Sequence, residues 1–304
     1  MVLVPTPTIV LLHGQPDSSA SFWPLRRELL LRLPSGVRVL APDRPGYGAN
    51  PLPAAGYPGN ERWLQDWLAR VQAGPVVLVG HSWAGGLAIL TAARRPPELA
   101  GLALLGSVGP GCLMRIDPVL AAPVVGELIA FMTLHLGRPV VRWRARSAIL
   151  DALADADRPY GSASGAAMRY RPVWRSFLLE QRALLAELPR INAALPLITA
   201  PAMVISGDSD SMIPSATPTR LLAAIGNSSG HRIEGGHDLQ LSQPAAIAEL
   251  IAGWAARRLG LVPGPGPAGA ASAEPVDRPA EAEPGPVGAA AAGPVDRPAA
   301  AEPA

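Results

Sequence analysis

Two kinds of apolar pattern alternate along this chain. Short runs with few polar positions fall at Thr8 to Leu12, Val37 to Ala41, Val76 to Val79, Leu102 to Gly106 and Ala202 to Ser206, with a shorter one at His231 to Ile233. A strand that is apolar on both faces must be covered on both, which is the condition inside a parallel sheet. Between the runs lie stretches with helical spacing. Trp63, Leu64, Trp67, Leu68 and Val71 fall on one face, and Ile247, Leu250, Ile251 and Trp254 repeat the spacing ahead of Arg257, Arg258 and Gly260. Asn60 stands where a cap would open the first of these helices. Strands alternating with helices predict an α/β fold, a mostly parallel sheet flanked by helices.

The alternation stops between Gly109 and Pro201, where helical patterns continue without a clear strand. The expected organisation is a core built from residues 1–108 and 201–260, interrupted by a helical insertion over 109–200. Within the insertion, Val124 to Leu136 is apolar on nearly every face, which a helix accepts only if it is covered on all sides. Its Leu128, Phe131 and Met132 are candidate pocket residues; the alternative is that this helix joins the insertion to the core. Arg142, Arg144, Arg146, Arg169, Arg171 and Arg175 read as a solvated face, with an anion clamp as the sharper alternative. Residues 261–304 are almost entirely Pro, Ala, Gly and acidic, with Pro-Val-Asp-Arg-Pro-Ala at Pro275 and again at Pro294. Such a segment cannot bury enough apolar area to offset its ordering entropy, so a disordered tail is expected. At the other end only Met1 to Pro7 precede the first apolar run, which places Val37 to Ala41 near an exposed sheet edge.

The run Val76 to Val79 leads directly into Gly80-His81-Ser82-Trp83-Ala84. A serine at a sharp turn from strand to helix takes strained backbone angles, and only small flanking residues let strand and helix pass that closely. The turn lifts Oγ clear of the sheet and leaves the first amides of the helix unpaired beside it. A serine nucleophile needs a base, and the base needs an orienting acid. His237 follows Gly235-Gly236 in a loop after a strand and is the expected base, whereas His231 lies within the strand and reads as structural. Asp208 and Asp210 both follow the strand Ala202 to Ser206. Asp210, one step past the turn, is the expected acid, and Asp208 the expected turn former.

Composition narrows the chemistry further. A hydrophobic content of 49% suffices for a large core, and the one cysteine, Cys112, permits neither an internal disulfide nor a cysteine metal cluster. The chain contains no lysine, which excludes Schiff-base and pyridoxal chemistry. Its arginines are too dispersed for a nucleic-acid footprint. The apolar stretch Pro118 to Val141 is interrupted by Pro123, Glu127, His135 and Arg138, against a membrane span, and the start lacks a basic targeting region, so a cytoplasmic location is expected.

With His13-Gly14-Gln15-Pro16, Asp43-Arg44-Pro45-Gly46-Tyr47-Gly48, the serine turn, Gly207-Asp208-Ser209-Asp210 and Gly235-Gly236-His237 in this order, the chain resembles the α/β-hydrolase fold superfamily over Val2 to Leu259. The resemblance implies a cap domain over 109–200 and a Ser82-Asp210-His237 triad. It further implies an oxyanion hole formed by the backbone amides of Gln15 and Trp83. His13 and His81 are then structural neighbours of the site, and Asp43 shapes its loop. The implied activity is cleavage of a carboxylic ester or related acyl or lactone bond, with a small acyl substrate and water as partners and no cofactor or metal. Haloperoxidase-like perhydrolysis, C–C hydrolysis, thioester cleavage, acyl transfer and a proline iminopeptidase-like peptidase action are alternatives on the same triad, and a receptor or scaffold of this fold is the non-enzyme alternative. The His-Gly-x-Pro loop is also similar to that of haloalkane dehalogenases and epoxide hydrolases, which use a carboxylate where this chain has Ser82.

Overall fold

A computed structural model describes residues 6–136, 173–261 and 274–275. In chain order the core opens with β1 (Thr6–Leu12), α1 (Trp23–Arg32), β2 (Arg38–Leu40), α2 (Tyr57–Arg70), β3 (Ala73–His81), α3 (Trp83–Ala93) and β4 (Leu99–Leu105). Next come α4 (Asp117–Ala121), α5 (Val125–Phe131) with a π-helical turn over Met132–Leu136, and the long α6 (Val173–Ala194). The core resumes with β5 (Ala202–Gly207), α7 (Ala216–Ala224), β6 (Ser228–Ile233), α8 (Leu239–Ser242) and α9 (Pro244–Arg258), and β7 (Glu274–Pro275) comes last.

The strands form one sheet in the order β2-β1-β3-β4-β5-β6-β7. All pairings are parallel except the last, where Glu274 and Pro275 run antiparallel to Arg232 and His231. The apolar runs are explained by this arrangement. Val10, Leu12, Val76, Leu78, Leu102, Leu104 and Val204 face one side and pack with residues of α2, α3 and α6. Their alternates Ile9, Leu11, Val77, Val79, Ala103, Leu105, Met203 and Ile205 face the other and pack with α1 and α9. A period of two therefore feeds two separate cores, so every position of a central strand must be apolar. The expected edge strand is found at β2, and it is only three residues long. Its Arg38 guanidinium donates to Val71 O, Gln72 O and Thr8 Oγ1, tying β2 to β1 and to the residues that lead into β3.

Two local expectations are corrected. Asn60 does not cap α2, which begins three residues earlier with Tyr57 and carries Pro58 in its first turn. The ring sets φ for the start of a helix. Asn60 is instead buried one turn inside, where Nδ2 donates to Ala55 O at 2.6 Å and Gly56 O at 3.2 Å and fixes the approach of the chain. Val124 to Leu136 is not one helix covered on all sides: Leu128 is 59% and Met132 50% exposed. Only Gly126 and Ala130 of α5 are buried. A Cβ on Gly126 would lie 2.2 Å from Leu120 O and 3.2 Å from Leu178 Cδ1, so these small residues let α5 sit close against α4 and α6 while Val125 and Leu128 stay exposed.

No strand interrupts the stretch between β4 and β5 among the described residues. Arg142, Arg144, Arg146, Arg169 and Arg171 lie outside those residues, as does the expected tail apart from Leu261 and β7, an element the composition did not foretell. Arg175 is exposed and lies over the Trp174 ring at 5.0 Å, consistent with a solvated face. No described helix is long and apolar enough to cross a membrane.

Candidate active site

The segments that carry the candidate chemistry all leave the carboxyl ends of β1, β3, β4, β5 and β6, the edge of a parallel sheet where ligands gather. Ser82 joins β3 to α3 with φ 53° and ψ −122°, a left-handed backbone that a serine adopts only under constraint. The constraint comes from hydrogen bonds. Ser82 N donates to Leu105 O at 3.0 Å, and Ser82 O accepts from Gly85 N at 2.9 Å and Val108 N at 3.2 Å. The strand and helix meet closely here: a Cβ on Gly80 would lie 2.7 Å from Ala84 O, and one on Gly85 would lie 1.9 Å from Ser107 Oγ. The methyl of Ala84 is accommodated in the core.

Asp210 and His237 are brought together. His237 Nδ1 donates to Asp210 Oδ2 at 2.9 Å, which leaves Nε2 as the unprotonated ring nitrogen. The other carboxylate oxygen, Asp210 Oδ1, accepts from the amides of Met212 at 2.8 Å and Ile213 at 2.9 Å. Burial opposes ionisation of Asp210, but the hydrogen bond from His237 and those from the two amides outweigh it and hold the carboxyl below its ordinary pKa. Gly106, at φ 49°, faces this pair: a Cβ there would lie 3.3 Å from His237 Nδ1 and 3.4 Å from Asp210 Oδ2. Since Ser82 N is bonded to Leu105 O, the serine turn and the Asp-His pair meet around this one glycine. Asp208 is exposed and does more than shape its own turn. Its Oδ1 accepts from Gly235 N at 3.0 Å, a bond that holds its carboxyl below the ordinary value and ties the β5 loop to the loop carrying His237.

The neighbouring histidines are held in place by the backbone. His13 is buried, with Nδ1 2.9 Å from Gly14 O and Nε2 accepting from Arg44 N at 3.0 Å. Burial and the Arg44 charge keep its pKa well below the usual histidine value. His81 is also buried, its Nε2 donating to His237 O at 3.2 Å and its ring 4.8 Å from the His237 ring. Burial, with the neighbouring His237, lowers His81 to about 4, so it is a neutral prop under the His237 loop. His231 lies within β6, as expected. Asp43 accepts from Ser19 N and Ala49 N, each at 2.7 Å, and so joins the loops after β1 and β2.

Trp83 is the first residue of α3, so its amide has no acceptor within the helix. Gln15 lies in the loop after β1, between Gly14 and a cis Pro16, and a Cβ on Gly14 would meet Ser82 Cβ at 2.9 Å. The loop thus lies directly against the serine turn. Leu128, Phe131 and Met132 lie on the insertion, where Phe131 makes an edge contact with Trp174 of α6, ring centroids 5.6 Å apart. No three His, Cys, Asp or Glu side chains cluster as a metal site among the described residues.

Several residues around the site carry no signal in the hydrophobic pattern. Arg44 and Glu180, both fully buried, form a two-pronged ion pair, and Tyr47 donates to Glu180 Oε2 at 2.8 Å. Arg44 also donates to His13 O at 2.8 Å and Gly14 O at 2.7 Å. Arg44 belongs to the Asp43 to Gly48 motif, but nothing in α6 marks Glu180, which is separated from Arg44 by 136 positions. Gly106 resembles any glycine that ends a strand.

Comparison with known proteins agrees with the geometry. The chain is 28% identical over 267 residues to a haloalkane dehalogenase of Mesorhizobium japonicum, covering 82% of this chain and 84% of that one. It is 26% identical over 256 residues to a 2-hydroxymuconate semialdehyde hydrolase of Pseudomonas sp. strain CF600, covering 80% and 84%. In fold it is similar to an esterase from Exiguobacterium antarcticum, with a TM-score of 0.65 at 19% identity over 83% of this chain and 93% of that one. The description "Alpha/beta hydrolase family" matches residues 9–250, a span that runs from β1 into α9 and includes every segment of the site. With a strained serine at the strand-to-helix turn of a parallel sheet and a family match of that extent, the chain belongs to the alpha/beta hydrolase family.

Proposed function

We propose that this hydrolase cleaves a carboxylic ester or a related acyl or lactone bond, with Ser82 as nucleophile, His237 as general base and Asp210 as the acid that orients it. The observation that carries the reading is the left-handed Ser82 turn beside an Asp210–His237 bond of 2.9 Å. His237 Nε2 accepts the Ser82 proton as Oγ attacks the acyl carbonyl, and Asp210 stabilises the resulting imidazolium. The amides of Gln15 and Trp83 receive the negative oxygen of the tetrahedral intermediate; one such donor is worth roughly 3 to 4 kcal/mol in the transition state. Collapse expels the alcohol, protonated by His237, and leaves an acyl-serine. Water, activated by the same histidine, then releases the acid.

In this reading the helices of the insertion form a cap over the site, and the exposed apolar side chains of Leu128 and Met132, with Phe131, contact the acyl chain. The similarity to a semialdehyde hydrolase favours a second reading, C–C bond hydrolysis on the same residues. Dehalogenation is disfavoured because Ser82 stands where that chemistry uses a carboxylate.

Intact-mass labelling with a fluorophosphonate is the direct test. A single adduct is expected on Ser82, and Ser82→Ala should lose both the adduct and turnover, by up to about a millionfold in kcat. Folded wild-type protein that takes no adduct would remove the serine-hydrolase reading. Activity on nitrophenyl esters against activity on dienoic C–C substrates separates the two readings.

A further inference from the structure

Two consecutive residues of α6, Glu180 and Gln181, reach both sides of the proposed oxyanion hole. On the Trp83 side, the indole Nε1 donates to Glu180 O at 3.0 Å. The same indole lies between the Arg44 guanidinium, 4.5 Å from the ring centre, and the Tyr57 ring, stacked at 4.0 Å. On the Gln15 side, Gln15 Nε2 donates to Gln181 Oε1 at 2.9 Å, and Gln181 Nε2 donates onward to Asp117 Oδ1 at 2.8 Å at the start of α4. The Glu180 carboxylate holds Arg44, and Arg44 holds the carbonyls of His13 and Gly14, which precede Gln15.

We propose that Glu180 and Gln181 are positioning residues that set the oxyanion hole, making its geometry depend on the seating of the insertion helix α6 against the core. The inference rests on the serine-hydrolase reading. Its physical basis is directional. Hydrogen bonds and a two-pronged ion pair fix angles as well as distances, which apolar packing does not. Glu180 is fully buried and Gln181 nearly so, so water does not compete for these bonds. An oxyanion donor works only when aimed at where the negative oxygen will lie, so small displacements of the Gln15 or Trp83 amide are felt in the transition state more than in substrate binding.

The test uses Glu180→Gln and Gln181→Met, which preserve side-chain size, and Trp83→Phe, which removes the indole donor. Five quantities are measured on the full chain: melting temperature, kcat and KM on a nitrophenyl ester, rate of fluorophosphonate labelling, and affinity for phenylboronic acid, whose serine adduct is a tetrahedral anion. The expected result is a fall of about 10- to 100-fold in kcat and in boronate affinity, with KM within about threefold of wild type. Loss of folding in Glu180→Gln would show only that a buried Arg44 needs its partner, and Gln181→Met and Trp83→Phe then decide. Folded variants that match wild type in kcat and boronate affinity overturn the inference, as does a loss confined to KM. Wild-type protein that neither takes the label nor binds the boronate overturns the serine-hydrolase reading itself, a result distinct from variants that match an active wild type.

Discussion

Asp208 and Asp210 are chemically identical, lie two positions apart after one strand, and differ in what they touch. Asp210 accepts from His237 and from two amides of its own turn, while Asp208 accepts from Gly235 and faces solvent. Replacing Asp210 by Asn keeps the size but reverses the polarity of one group, so the His237 proton moves to the wrong nitrogen; kcat should fall by about four orders of magnitude with the fold intact. Asn at 208 can still accept from Gly235, so that variant should stay within about tenfold of wild type. Steady-state kinetics on both variants checks the ranking, and the reverse order would reassign the acid. A third carboxylate near the serine loop, Asp17, behaves differently. Burial pushes its pKa up to about 7 against bonds from Ser21 and the Ser18 amide. Between the ordinary value of 3.8 and about 7 the folded protein therefore keeps a proton that the unfolded chain has released. Stability from this group declines as pH rises through that window. Asp17→Asn, neutral throughout, should gain melting temperature relative to wild type on going from about pH 4 to about pH 8. An unchanged difference across that range would show that Asp17 is ionised in the native state.

At the level of elements, the sequence is most legible where packing imposes a strict pattern. Central strands must be apolar at every position because β1, β3, β4 and β5 feed a core on each side, and this is why their runs stand out. Ser82 is legible for a related reason: the crossing of β3 and α3 leaves no room at Gly80, so small residues flank the turn. Ends and surfaces are less legible. Asn60 resembles a cap because its side chain does bind backbone carbonyls, but it does so from inside α2. The apolar α5 misleads because its seating is decided by the small Gly126 and Ala130, not by the large residues that dominate a hydrophobic count. Buried polar pairs leave no trace at all: Arg44 and Glu180 meet across 136 positions, and no local spacing encodes that. The Gly80 contact gives a stability prediction. A methyl there would lie 2.7 Å from Ala84 O and 2.8 Å from Gly85 Cα, both backbone atoms, so Gly80→Ala should cost about 1 to 3 kcal/mol by overpacking. The melting temperature should drop by several degrees. Turnover should fall further than stability alone explains, because relief of the clash moves the Ser82 turn; equal stability in the two proteins would mean that helix α3 shifts freely.

At the scale of the whole molecule, the parallel core closes on itself before the chain ends. Gly260, at φ 69°, turns the chain out of α9, and Leu261 N donates to Ala256 O at 2.8 Å, satisfying the last carbonyls of the helix. Leu261 also packs on the core that joins α1, α9 and the sheet. Among the described residues after Leu261, β7 is two residues long and lies beside Arg232 and His231 at the β6 edge, and one of the two is Pro275, which has no amide hydrogen to give. Such a pairing contributes at most about 1 kcal/mol, against an ordering cost of roughly 1 to 2 kcal/mol for each residue fixed. Removal of everything after Leu261 should therefore leave the melting temperature within about two degrees of the full chain, and kcat and KM unchanged, since the site lies at the carboxyl ends of the strands and not at the β6 flank. The same cut uncovers the β6 edge, and an uncovered edge is a template for pairing with another chain. Calorimetry and size-exclusion chromatography of the truncated protein separate the two effects: an unchanged melting temperature with a larger apparent mass would assign the tail to edge protection, whereas a fall of many degrees would show that it packs on the body.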